Sequence, residues 1–169
     1  MDRQGSVKQL TGTIQNAWNT WENLIRQLNQ EQFTSVGMAS EWSLKDIIAH
    51  ITWFEKEMVG LITAHALVSS ELWNLPTDER NAAIYEEVRI QPLEQVLEES
   101  ATVHQQMLEV LPSLSEEDLT DPSGFPNMPP DWQPGMLIAQ NTYEHYEDHM
   151  RDVKMWLEKR DSSPLQGSE

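Results

Sequence analysis

The chain has 169 residues, no cysteine and a formal charge of −17. That length suits one domain with a sizeable core, and the missing thiols exclude disulfides and Cys-ligated metals. The acidity disfavours a nucleic-acid phosphate backbone as partner, and no local basic patch offsets it: Lys154, Lys159 and Arg160 alternate with Asp152 and Glu158.

The N-terminal Met1-Asp-Arg-Gln-Gly-Ser lacks the pattern of a leader. No apolar run approaches the roughly eighteen residues of a membrane span. The expectation is a soluble cytoplasmic protein without nucleic-acid or membrane partners.

Val7 to Leu28 is the first predicted helix, because Leu10, Ile14, Ala17, Trp18, Trp21, Ile25 and Leu28 recur at three and four. Phe33 to Glu41, with Gly37, reads as a returning connection. Ser43-Leu-Lys-Asp46 is a capping signal. The second helix that it opens runs to about Leu67, with a stripe through Leu44, Ile47, Ile48, Ile51, Phe54, Met58, Leu61 and Ile62. His50 lies at the edge of that stripe. Asp46, one turn earlier, is placed to accept the N–H of its other ring nitrogen. His65 continues the stripe near the helix end.

Asp78 to Arg89 holds a short helix. Pro92 fits the first turn of a third long helix, whose stripe includes Leu93, Val96, Val103, Met107 and Leu111. Ser115 to Asp118 looks like one capped turn. Asp121 to Pro134 carries five prolines, is too long for an idle connection, and places Trp132 to close a pocket mouth.

The fourth helix begins near Pro134 or Gly135 and ends near Arg160, with the stretch from Asn141 to Trp156 read as one uninterrupted helix. Residues 161–169 form a polar tail, expected to be disordered, so the single domain spans 1–160. Four long helices, with long connections between the second and third and between the third and fourth, predict an all-α four-helix bundle.

His145 and His149 are four apart, one turn apart on one face, and share that face with Ile138, Thr142, Val153 and Trp156. Two imidazoles at this spacing hold one cation between them, and His50 is the candidate third ligand. Three imidazoles leave a coordination position open, and zinc, nickel and iron all accept them. Spacing alone equally suits a pair of hydrogen-bonded core histidines. His104 has no partner at helical spacing and reads as an ordinary, partly buried residue. Trp53, Asn141 and Tyr146 are the candidates to line a pocket beside the metal, while most other tryptophans on the stripes read as core. No nucleophile elbow or phosphate-cradling glycine loop is present.

Glu41-Trp-Ser-Leu-Lys-Asp-Ile-Ile-Ala-His50-Ile-Thr-Trp-Phe-Glu55 resembles the helix-two signature of the DinB/YfiT-like superfamily, and Asn141 to His149 resembles its helix-four signature. Within the superfamily, Trp73 to Ala83, Pro92 to Leu111 and Phe125 to Pro134 look most like the ClbS/DfsB group. The resemblance implies a bundle with the fourth helix between the first and second, and a divalent-metal triad that falls on His50, His145 and His149. It implies metal-dependent chemistry on a small molecule, with water or a low-molecular-weight thiol as nucleophile, and a homodimer. The ClbS-like branch implies a second activity, metal-independent hydrolysis of a strained electrophile. A binding module that sequesters its ligand is the third reading.

Overall fold

The computed structural model describes residues 6–38, 41–68 and 70–162. Most of the expected tail, residues 163–169, lies outside the described residues. The elements are α1 (Val7–Ile25), α2 (Gln30–Thr34), α3 (Leu44–Ala64), α4 (Thr77–Val88), α5 (Leu93–Val110), α6 (Pro134–Gln140) and α7 (Tyr143–Asp161), with short 3₁₀ turns between them and no strand among the described residues. The all-α expectation holds. The four long helices are α1, α3, α5 and α7.

Sequence chemistry sets the helix starts. At α1, α2 and α3, Ser6, Asn29 and Ser43 each accept from the backbone N–H three residues on, and the side chain at that position reaches back to the cap N–H. Each capping box satisfies two donors that a helix start leaves orphaned. The box at α3 is buried. Asp46 Oδ2 takes both the backbone N–H and the hydroxyl of Ser43, each at 2.8 Å. Lys45 beside it donates Nζ to the carbonyls of Arg89 and Gln91, tying the start of α3 to the end of α4.

Helix α7 packs against α1 on one side and α3 on the other, and α3 packs along α5. The ring closes where Trp18 of α1 stacks on His104 of α5, with centroids 4.1 Å apart. Helix α7 thus lies between α1 and α3, in the order the resemblance implies. Ile14, Trp21, Leu44, Ile47, Leu61, Met107, Ile138 and Val153 form the centre of the core, each removed from solvent.

Three expectations need correction. The fourth helix is interrupted at Asn141 and Thr142, where Thr142 adopts φ −127° and ψ −104°. Thr142 Oγ1 bonds the carbonyl of Ile138 at 2.7 Å, and Asn141 Nδ2 bonds that of Leu137 at 2.8 Å. Short polar side chains that back-bond to the preceding turn compete with the backbone ladder, and here they end α6. His65 does not continue the stripe of α3. It caps the helix in the left-handed conformation, φ 48°, stacks on Phe125 at 4.4 Å and brings Nε2 to 3.1 Å from Asp118 Oδ1. The first helix ends at Ile25, three residues short of Leu28.

The His65 contacts fasten the two long connections together. Leu67 N–H also donates to the carbonyl of Pro126 at 2.9 Å. Docked in this way, the connections form the wall of a cavity beside the bundle.

Candidate metal centre

The sequence folds His50 into the second turn of α3 and His145 into the first turn of α7, with His149 one turn further along. Because α3 and α7 are neighbours, the three rings converge. His50 Nε2 lies 3.2 Å from His145 Nε2, and His149 Nε2 lies 3.0 Å from His145 Nε2. One ligand atom from each histidine falls within 4.8 Å of the others.

Nitrogens about 2.0–2.1 Å from a tetrahedral zinc stand about 3.3–3.4 Å apart, so the observed spacing fits one shared cation. Burial drives the charge state the same way. It lowers the pKa of His50 from 6.5 to about 3, with His149 adding like-charge repulsion. It lowers that of His145 to about 2, with His149 and His50 contributing. His149 is also lowered by burial, opposed in part by Asp152 and Asp148. Three neutral imidazoles therefore present lone pairs.

The Nδ1 atoms give a second test. Those of His50, His145 and His149 are buried without a hydrogen-bond partner among the described residues. Asp152 Oδ2 is 3.5 Å from His149 Nδ1, close but short of a formed hydrogen bond. Asp46 does not accept from His50, because its carboxylate is committed to the capping box. A hydrogen shared between two Nε2 atoms satisfies only one pair of the cluster, since a neutral imidazole carries a single N–H. A cation that takes all three Nε2 lone pairs satisfies the cluster at once. The donor set fits a divalent metal, which would keep an open coordination position and supply Lewis-acid chemistry there.

Aromatic rings surround the triad. Trp42 and Phe54 meet His50 edge-on at 5.2 and 4.9 Å, and Phe54 meets His145 at 5.1 Å. Trp42 also stacks on Tyr85 at 5.2 Å. Phe54 also lines a cavity of about 690 Å³. Its walls come from α3 (Phe54, Glu57, Met58), the following connection (Leu67, Val68, Trp73), Arg80 of α4, the Pro-rich segment (Asp131, Trp132, Gln133), and α6 with its end (Met136, Leu137, Gln140, Asn141). Trp132, 40% exposed, stands at the edge of this cavity.

The candidate pocket residues divide. Asn141 lines the large cavity. Trp53 lines a smaller cavity of about 370 Å³ bounded by α3, α4 and α5, and its ring meets Trp73, on the wall of the large one, at 5.9 Å. One residue along a helix turns a side chain by about 100°, so Phe54 rather than Trp53 lies beside the three histidines. Tyr146 faces the bundle interior and is fully buried. It meets Trp18 edge-on at 5.6 Å, and its hydroxyl faces Glu55 without closing a hydrogen bond. Burial and the Glu55 carboxylate hold its pKa well above the ordinary value.

His104 is not the ordinary, partly buried residue that spacing suggests. It is buried, and Nδ1 lies 3.0 Å from Glu55 Oε1. The signal was present in Glu55, a charged residue on the apolar stripe between Ile51 and Met58, which required a buried partner.

A model of the DinB superfamily matches residues 5–153. Two solved structures share the fold. An uncharacterised protein from Escherichia coli UTI89 is 15% identical, with a TM-score of 0.77 over 94% of this chain and 96% of that one. A protein described as Sibling Lethal Factor Precursor - DfsB is 17% identical, with a TM-score of 0.74 over 94% of this chain and 98% of its own. No curated protein sequence matches. With the family model matched over most of its length, the chain belongs to the DinB superfamily.

Proposed function

We propose that the protein is a metal-dependent enzyme acting on an electrophilic small molecule, with a divalent cation on His50, His145 and His149. The carrying observation is the convergence of three neutral Nε2 atoms at 3.0 and 3.2 Å beside a cavity large enough for a small substrate. Water or a low-molecular-weight thiol is the nucleophile, and zinc, nickel or iron suits the nitrogen donors. Asn141 stands where the cavity wall meets α7 and is placed to orient a polar substrate group. Elemental analysis of protein purified without a chelator or His-tag tests the metal. Stoichiometric zinc, nickel or iron supports it, and a chain that neither holds nor takes up metal sinks it.

A second reading is favoured by one detail. None of the three histidines lines the large cavity, because Phe54 stands between. A metal-independent hydrolysis within the cavity, of the kind the ClbS-like resemblance implies, needs no ligand there. Full turnover in His149→Ala would select this reading over the first. A homodimer remains part of the proposal, and light scattering that finds only monomer at high concentration contradicts it.

A further inference from the structure

Three charged side chains line the large cavity, and they are not equivalent. Arg80 is built into the wall. It donates from Nε to the carbonyl of Leu72 at 3.2 Å, and from Nη2 to those of Trp73 and Leu75 at 3.4 and 3.0 Å. Its Cζ sits 4.8 Å from the centroid of the Trp73 ring. Its guanidinium is thereby held against a turn of backbone carbonyls and an indole face, with its donors turned to the wall.

The two carboxylates are less engaged. Glu57 Oε2 accepts from Ser70 N–H and Trp73 Nε1–H at 3.0 and 2.9 Å, whereas Oε1 carries no hydrogen bond among the described residues. Neither Glu57 nor Asp131 forms an ion pair among those residues. The apolar walls carry Phe54, Met58, Trp132 and Met136. Ring faces and thioethers are polarisable surfaces that favour a cationic head group. The field of a chain of net charge −17 acts in the same direction, drawing cations in and repelling anions.

We infer that this cavity binds an organic cation, an ammonium or quaternary ammonium on a flat apolar body, with its charge toward Glu57 and Asp131. The cavity adjoins the triad across Phe54, so the inference names a substrate class for the proposed enzyme and rests on that reading for its chemical consequence. The binding itself needs no metal.

Calorimetric titration of the metal-free protein at about 0.15 M salt tests this, with (1-naphthylmethyl)trimethylammonium and 1-naphthylacetate as probes. The ammonium is expected to bind at one site per chain, about tenfold or more tighter than the carboxylate. Asp131→Asn and Glu57→Gln should each weaken it about threefold to tenfold, and the glutamine still offers an oxygen to Trp73 Nε1 and Ser70 N–H. Glu94→Gln makes the same change in net charge on the exposed face of α5 and should leave binding unaltered. Equal affinities for the two probes, tighter binding of the carboxylate, or an equal loss in Glu94→Gln overturns the inference. Elemental analysis reads the metal separately. Ammonium binding without metal uptake leaves this inference standing and removes the triad reading; metal uptake without ammonium binding does the reverse.

Discussion

His50 Nε2 and His145 Nε2 lie 3.2 Å apart although 95 residues separate them in the chain. Two buried lone pairs at that distance repel unless a proton or a cation lies between them. Removing either ring should abolish tight metal retention, since His145 is the middle member of the cluster. His145→Ala is expected to retain no stoichiometric metal after dialysis, and His149→Ala to bind about 100-fold or more weakly. Competition with a chromogenic chelator reads both. Wild-type affinity in His145→Ala would remove the triad from consideration.

The charge states of these rings set a pH dependence for the metal-free protein. His50 and His145 have folded pKa values near 3 and 2, whereas an unfolded chain takes up protons on histidine below about 6.5. Between these limits the unfolded state binds more protons, so stability rises with pH. Their contribution is complete above about pH 6.5 and declines as pH falls toward 3. Urea midpoints should therefore drop between pH 7.5 and pH 5, and His145→Phe should flatten that slope. An unchanged slope in His145→Phe would place the titrating groups elsewhere.

The pair formed by Glu55 and His104 makes a stability prediction. Both side chains are buried, with Nδ1 to Oε1 at 3.0 Å. His104→Leu leaves a buried carboxylate unpaired and should cost about 3–5 kcal/mol. The double variant Glu55→Leu/His104→Leu removes both groups and should cost less than either single change. Denaturant midpoints across the four-member cycle measure this coupling. Additive single effects would show that the two residues act independently.

Two glycines are expected to respond in opposite directions. Gly60 lies inside α3, and a Cβ there meets nothing within 4 Å. Gly60→Ala should stabilise by about 0.8–1 kcal/mol through helix propensity alone. At Gly135, in the first turn of α6, a Cβ would come within 2.9 Å of the Leu119 carbonyl oxygen and 3.2 Å of its Cβ. Gly135→Ala should cost about 1–3 kcal/mol through overpacking. Thermal midpoints that shift the same way in both variants would contradict the packing of α6 on residues 117–119.

The long helices and the His145–His149 pair were legible because their information is local, whereas His50 was a candidate that the resemblance joined to the pair. Stripes at three and four, a capping box at Ser43 and an i,i+4 histidine pair each depend on neighbours within one or two turns. The break at Asn141 and Thr142 was harder to read. Asn and Thr occur within helices, and only the back-bonding to Leu137 and Ile138 shows which conformation won. Phe54 rather than Trp53 stands beside the histidines because a helix stripe has an edge, and one residue decides which cavity a ring lines. Glu55 on the apolar stripe signals that a buried partner is needed, but His104 lies 49 positions away, and helical spacing does not say which residue the partner is. The engagement of Asp46 was misplaced for a similar reason: the motif that starts the helix and the motif that would support His50 compete for one carboxylate.

The interruption between α6 and α7 separates two inheritable tasks. Residues before Asn141 shape the cavity wall, and residues after Thr142 carry two of the three imidazoles. A substitution or insertion in 121–140 can reshape what enters the cavity while the register of His145 and His149 remains anchored by Val153 and Trp156 packed in the bundle. If the proposed function holds, substrate choice drifts without retuning the ligand set, and swapping the segment 121–140 between relatives is a rational way to exchange specificity.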